Sequence, residues 1–136
     1  MTKIIFCSDD SNETTQAVVG YLAKHADLDN WGVRSDWPVF SKQAAHRVVD
    51  NQVDRAVLMC WTGTGTAIAA NKIKGARAAQ ASDPWTAENA RRWNDANILT
   101  MSLKQLTPEQ AVDILNTFLS IESPDPEEID NIALIE

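Results

Sequence analysis

Short apolar runs alternate along this chain with segments whose apolar residues recur at helical spacing. Lys3 to Cys7 (KIIFC) reads as a buried strand, and Glu13 to Ala26 as a helix, with Ala17, Val18, Tyr21, Leu22 and Ala26 marking its period. The polar turn Ser8-Asp9-Asp10-Ser11-Asn12 between them is rich in helix-capping residues. Residues 27–36 carry the weakest pattern, with a short strand expected around Trp31–Arg34. Pro38 suits the first turn of a second helix, whose buried face is Ala44, Ala45, Val48 and Val49. Ala56 to Met59 is a short apolar run of the kind buried on both faces of a parallel sheet, and Thr66 to Ile73 is helical in character. Ala76 to Gln80 reads as a fourth strand. Asp83 as N-cap and Pro84 open a helix that ends near Trp93-Asn94-Asp95, and Asn97 to Met101 is a fifth strand. Thr107-Pro-Glu-Gln110 is a capping-box pattern opening a last helix through Leu119, after which Pro124 and Pro126 break the chain.

This alternation predicts a three-layer α/β/α fold around a five-stranded parallel sheet, with ligands bound outside the carboxyl ends of the strands. Asp9, Cys60 and the glycines that follow it fall at such ends, whereas Asn94 precedes the fifth strand and gains no place by this rule. No internal repeat appears, so residues 1–121 are expected to form one domain, with 122–136 as an acidic tail. That tail holds Glu122, Asp125, Glu127, Glu128, Asp130 and Glu136 without a Lys or Arg, which accounts for six of the seven net negative charges. No basic stripe is left to bind nucleic acid, and no apolar run approaches the length of a membrane span. Two cysteines at 7 and 60 offer neither a disulfide framework nor metal-ligand spacing, so reduced thiols in the cytoplasm, with no metal or cofactor, are the expectation.

The chemistry concentrates in Arg55-Ala-Val-Leu-Met-Cys60-Trp-Thr-Gly-Thr-Gly-Thr66. Gly63 and Gly65 allow a sharp turn and a close approach of backbone to ligand. The N–H groups opening the following helix would attract an anion, and a thiol facing them could act as base or nucleophile. The alternative is a tight strand–helix turn with Cys60 as a small buried hydrophobe. The loop lacks the Walker A pattern, and Ile68 stands where a GxGxxG motif needs its third glycine. Cys7 ends a strand expected to neighbour that of Cys60, which leaves a thiol pair open.

CWTGTGTAIAANK, followed by GARAAQASDPWTAENARRWNDANIL, resembles the ribose-5-phosphate isomerase B and galactose-6-phosphate isomerase family, and Ser8-Asp9 resembles the family's SDH turn. The resemblance spans roughly residues 3–119. It implies metal-free aldose–ketose isomerisation through an enediolate, in a homodimer or homotetramer with active sites at the subunit interface. By position, Cys60 resembles the base that moves a proton between C1 and C2, and Thr62 the hydroxyl that assists at the sugar oxygens. The backbone of Trp61, Thr62, Gly63, Thr64 and Gly65 resembles the anion hole, while Asp9 and Asn94 resemble residues that hold sugar hydroxyls.

Four departures cluster. Asp10 replaces a His that helps to hold phosphate, and Trp93 replaces the His that opens the sugar ring. Trp61 replaces the glycine after the catalytic Cys, and Asp125 to Asp130 replaces an arginine-rich segment. Lys104 falls about where the family has an Arg, a surviving cation on the phosphate side. Asp10 could take over as ring-opening acid if burial raised its pKa, while His25 and His46 sit on helices as core or surface residues. Arg91 and Arg92 are expected to pair with helix carboxylates such as Glu88. Each of Trp31, Trp37, Trp61, Trp85 and Trp93 is either an interface packing residue or a ligand contact. The expectation is an isomerase of a sugar phosphate or related sugar with altered phosphate handling. The alternative is an impaired, half-site partner subunit that binds ligand.

Overall fold

A computed structural model describes all residues 1–136. Five strands, β1 (Lys3–Ser8), β2 (Asp27–Val33), β3 (Arg55–Cys60), β4 (Ala78–Gln80) and β5 (Ile98–Ser102), form one sheet in the order β2-β1-β3-β5-β4. Every neighbouring pair is parallel, with Ile5 opposite Ala56 and Cys60 opposite Ser102. The connecting helices are α1 (Glu13–His25), α2 (Trp37–Val49), α3 (Thr64–Ala70), α4 (Pro84–Asn94) and α5 (Pro108–Ser120).

Strand alternation sorts the core into two layers. Phe6, Val57, Met59, Leu99 and Met101 face α1, α4 and α5, meeting Val18, Ala90, Ile114 and Phe118. Ile5, Cys7, Leu58 and Ile98 face α2 and α3, meeting Phe40, Ala44, Ala45 and Ala70. The central strands are therefore apolar throughout, as a sheet covered on both sides requires. The expected caps form: Asn12 accepts from the Thr15 N–H, Asp83 from Thr86, and Thr107 from Gln110.

Two elements differ most from the sequence pattern. Strand β2 starts at Asp27 rather than near Trp31, because it is an edge strand held by backbone pairing to β1. Its side chains are largely exposed, so no apolar alternation marks it. Helix α3 starts two residues earlier than Thr66 and stops at Ala70, well short of Ile73. Asn71 ends it by bonding both backbone groups of Ala78, at 2.8 and 2.9 Å, which pins the start of the short strand β4.

Helix α5 has no basic residue in its last turn, and two arginines from elsewhere supply the missing donors. Arg55 donates to the carbonyls of Phe118 and Ile121, and Arg91 to those of Ile121 and Glu122. Burial, reinforced by the neighbouring Arg91, lowers the Arg55 pKa to about 10. Arg91 also pairs with Asp95 at 2.9 Å, while Arg92 pairs with Glu88 at 2.9 Å. The acidic tail is anchored along α4: the Asp125 N–H donates to the Arg92 carbonyl at 2.8 Å. It then forms one 3-10 turn at Pro126–Glu128 and a short helix α6 (Ile129–Ala133).

Cys7 is fully buried, and burial pushes its thiol from 9.0 up to about 11. Between those values the unfolded chain gives up the proton while the folded chain keeps it, so stability falls as pH rises. Denaturant titrations at pH 8 and pH 11 are expected to differ by about 2 kcal/mol more in the wild type than in Cys7→Ala. Equal pH dependence in the two proteins would remove Cys7 as the cause.

Candidate active site

Cys60 is the last residue of β3, at the carboxyl end of the sheet, and the residue is only 5% exposed. The chain turns back at Gly63, whose φ of +79° is left-handed. A Cβ there would sit 2.9 Å from the carbonyl carbon of Met101, so only glycine lets the loop lie against β5. The Gly63 carbonyl accepts from the Thr100 hydroxyl at 2.7 Å, and the Gly63 N–H donates to Cys60 Sγ at 3.1 Å. Thr66 Oγ1 lies 3.5 Å from the same sulfur and 3.3 Å from the Gly63 carbonyl, so its one proton can serve either. The rest of the loop is equally fixed. Ser102 donates to the Trp61 carbonyl at 2.6 Å, and Gln80 to that of Thr62 at 2.9 Å. Thr62 and Thr64 share a hydroxyl–hydroxyl bond of 2.6 Å. The N–H groups of Thr62, Gly65 and Thr66 have no acceptor within the chain.

Asp9 follows β1 beside this loop, its N–H donating to the Met59 carbonyl at 3.2 Å. Its Oδ1 is buried without a partner, and burial, with the Asp10 carboxylate second, raises its pKa. Asp10 behaves oppositely. One oxygen accepts from the Ser11 N–H at 2.8 Å and the other from Trp61 Nε1 at 3.1 Å. Those two donors, and then the Lys104 charge, lower its pKa, which overturns the expectation of Asp10 as a burial-raised acid. Lys104 Nζ stands 4.3 Å from the centroid of the Trp61 ring.

Asp9, Asp10, Cys60, Trp61, Thr62, Gly63, Thr64, Gly65 and Lys104 are thus gathered at one end of the sheet. Trp93 and Asn94 are not. They end α4, next to the start of β5, while Cys60 is level with the end of β5 at Ser102. The two groups are separated by the length of that strand, about 13 Å. Asn94 lines a separate recess of about 330 Å³ with Asn71, Arg77, Ala79 and Ile135. The largest recess, about 570 Å³ between Trp31, Arg34, His46 and Arg47, is a groove beside α2 that does not include Cys60. Cys7 lies opposite Leu58 in the apolar layer rather than opposite Cys60, and both thiols are free. His25 stacks on Tyr21 at 4.2 Å, at the far end of α1.

Sequence reasoning missed Thr66, Thr100 and Ser102, although hydroxyls inside the buried strand β5 were a readable signal. It left Trp37 undecided. The ring of Trp37 packs so closely on Gly65 that a Cβ there would meet it at 2.9 Å, which places Trp37 at the loop.

The profile of the Ribose/Galactose Isomerase family matches residues 4–134. The chain belongs to that family. Among members of the ribose/galactose isomerase family, the ribose-5-P isomerase B of Listeria innocua is 38% identical over 120 residues, covering 85% of this chain and 81% of that one. The D-erythrulose-4-phosphate isomerase of Pectobacterium atrosepticum is 35% identical over 103 residues, 76% of this chain and 68% of its own. The crystal structure of a ribose 5-phosphate isomerase from Thermotoga maritima superposes with a TM-score of 0.89 at 34% identity, covering 98% and 97% of the two chains. The five-stranded parallel α/β/α architecture is therefore that of this isomerase family.

The Gly63 turn gives a direct test of how the thiol is held. Gly63→Ala must strain φ and push on the Met101 backbone, and is expected to cost about 2–4 kcal/mol in denaturant titration. A loss below about 1 kcal/mol would show that the loop is not wedged against β5.

Proposed function

We propose that the protein is an aldose–ketose isomerase of a sugar phosphate or related sugar, with Cys60 as the base and an enediolate as the intermediate. One observation carries the reading: a nearly buried thiol, bonded by the Gly63 N–H, stands beside a loop with unused N–H donors and beside the orphaned oxygen of Asp9. The family membership and the names of the relatives, all sugar-phosphate isomerases, support the same reaction class.

The chemistry follows from the atoms. Cys60 Sγ accepts a hydrogen bond from the Gly63 N–H, with a second available from Thr66, and acts as base in its thiolate form. That thiolate takes the proton from C2 of the open-chain aldose and returns it to C1. The C1 oxygen gains negative charge as the proton leaves, and the free N–H groups of Thr62 and Gly65 are the donors for it. Thr62 Oγ1 assists proton exchange between the two oxygens. Asp9 accepts from a sugar hydroxyl, which supplies the partner its buried oxygen lacks. Lys104 meets the anionic end. Of the cations in the loops after the five strands, Arg34 is committed to Asp36, leaving Lys104 alone unpaired.

Trp93 and Asn94 reach this site only from a second copy, because in one chain they lie at the opposite end of the sheet. The proposed assembly is therefore a homodimer or homotetramer with each site completed across the interface. The intact, wedged Cys60 loop argues against the alternative of an impaired partner subunit, which has no need of that thiol.

Incubation with aldoses and aldose phosphates in D₂O, read by NMR, tests the reaction. Deuterium is expected to enter at C1 or C2 with the wild type and to fall by about 10²–10⁴-fold with Cys60→Ala. Exchange that persists at full rate in the mutant would exclude Cys60 as the base.

A further inference from the structure

We propose that the groove beside α2 is a binding site for a mononucleotide, with Arg47 and His46 receiving the phosphate and Trp31 receiving the flat ring of the base. The groove does not include Cys60, and the proposal stands whatever reaction that residue serves.

One arginine is left over by the fold. Of the six in the chain, Arg34, Arg77, Arg91 and Arg92 hold carboxylates, and Arg55 holds carbonyls at the end of α5. The sixth is Arg47, whose guanidinium forms no ion pair and donates no hydrogen bond within the chain. It stands over the Trp31 ring instead, 5.8 Å from the centroid. A guanidinium laid on an aromatic face is oriented by that face while its N–H fork stays free for an oxyanion. Helix α2 puts it there. Phe40, Ala44, Ala45 and Val48 turn into the core, so Gln43, His46 and Arg47 share an outward face toward Trp31 on the edge strand β2. A basic last turn favours the helix end with any cation. A guanidinium seated on a half-buried indole and lacking an acceptor is more than that requires.

The walls select the ligand class. Trp31, Arg34, Gln43, His46 and Arg47 line about 570 Å³. That lies within the usual size of small-molecule and cofactor sites, roughly 300–1,000 Å³. None of the five is acidic, although the chain carries a net charge of −7. The carboxylates that touch these walls are engaged: Asp36 holds Arg34 at 2.6 Å, and Asp29 accepts from the Trp31 indole N–H at 3.1 Å. Gln43 gives its side-chain carbonyl to Arg34 at 2.9 Å, which leaves its amide N–H groups as donors. The groove thus offers donors, cationic charge and one aromatic surface. An inorganic anion uses only the charge, and a nucleoside only the indole and the amide. A mononucleotide uses all three, with its phosphate on Arg47 and His46, its base against Trp31, and its ribose and base acceptors at Gln43.

Titration of the full chain with AMP, read by calorimetry and by the NMR resonance of the Trp31 indole N–H, tests the site. AMP is expected to shift that resonance and to bind at least about tenfold tighter than adenosine or inorganic phosphate, each of which lacks part of the recognition. Arg47 is exposed, so its side chain can be changed without disturbing the core. Arg47→Ala should weaken AMP at least about tenfold, and Arg47→Lys should recover only part of the loss, because an ammonium lacks the planar fork. Trp31→Leu should cut the preference for AMP over phosphate to about threefold or less. Lys104→Ala, which removes the free cation beside the Cys60 loop, should leave AMP affinity unchanged. AMP binding no tighter than phosphate, or at full affinity in Arg47→Ala, would overturn the proposal. So would loss of binding in Lys104→Ala, since the nucleotide would then occupy the Cys60 loop.

Discussion

The site depends on the wedge of Gly63 against β5. The loop after Cys60 runs directly over the backbone of Met101 and Ser102, at a distance that leaves no room for a side chain. That contact aims the Gly63 N–H at the sulfur and buries its carbonyl against Thr100. Removing a hydrogen-bond partner inside such a packed turn leaves a desolvated group, so the neighbouring hydroxyls are as constrained as the glycine. Helix α3, only seven residues long, adds the free N–H groups of Gly65 and Thr66 and the Thr66 hydroxyl, while the N–H bonded to the sulfur is that of Gly63 in the loop before it.

Charge is distributed by the same economy of place. Arg55 and Arg91 close the end of α5, Arg77 and Arg91 share Asp95, Arg92 holds Glu88 and the tail, and Arg34 is held by Asp36. These five arginines therefore serve the fold, and the carboxyl end of the sheet is left with one unpaired cation on an aromatic ring. Asp10 beside it does not act as a bare repelling charge, because both of its oxygens are already occupied by donors.

Much of the fold was legible because most of its strands are buried and its helices are capped by local chemistry. Asn12, Asp83 and Thr107 fall where their residue types indicate, and the KIIFC and AVLM runs are the sheet's centre. Strand β2 was only half legible, since an edge strand is specified by backbone pairing and its polar residues carry no period. The stop of α3 depends on Asn71 reaching Ala78, a tertiary bond that no local pattern encodes. In the site, Cys60, Asp9 and the glycines could be placed by the strand-end rule, whereas Asp10 was misread. Its environment is set by Trp61, fifty-one positions away, and by Lys104 from a third loop.

The two ends of β5 bring out a further consequence of this topology. In a parallel sheet, a residue that precedes a strand and a residue that follows one cannot share a site within the same chain. Asn94 and Trp93 precede β5, and Cys60 ends the neighbouring β3, so a reaction that uses both sets requires two copies facing each other. Trp93 is 44% exposed and meets Trp85 edge to face at 5.9 Å, an aromatic pair of the kind that gains most when a partner covers it. The same geometry explains why the largest recess of the chain is not at the thiol. A single copy presents the Cys60 loop at the surface with Trp61 beside it, and in the proposed two-copy assembly the remaining wall would come from the second copy.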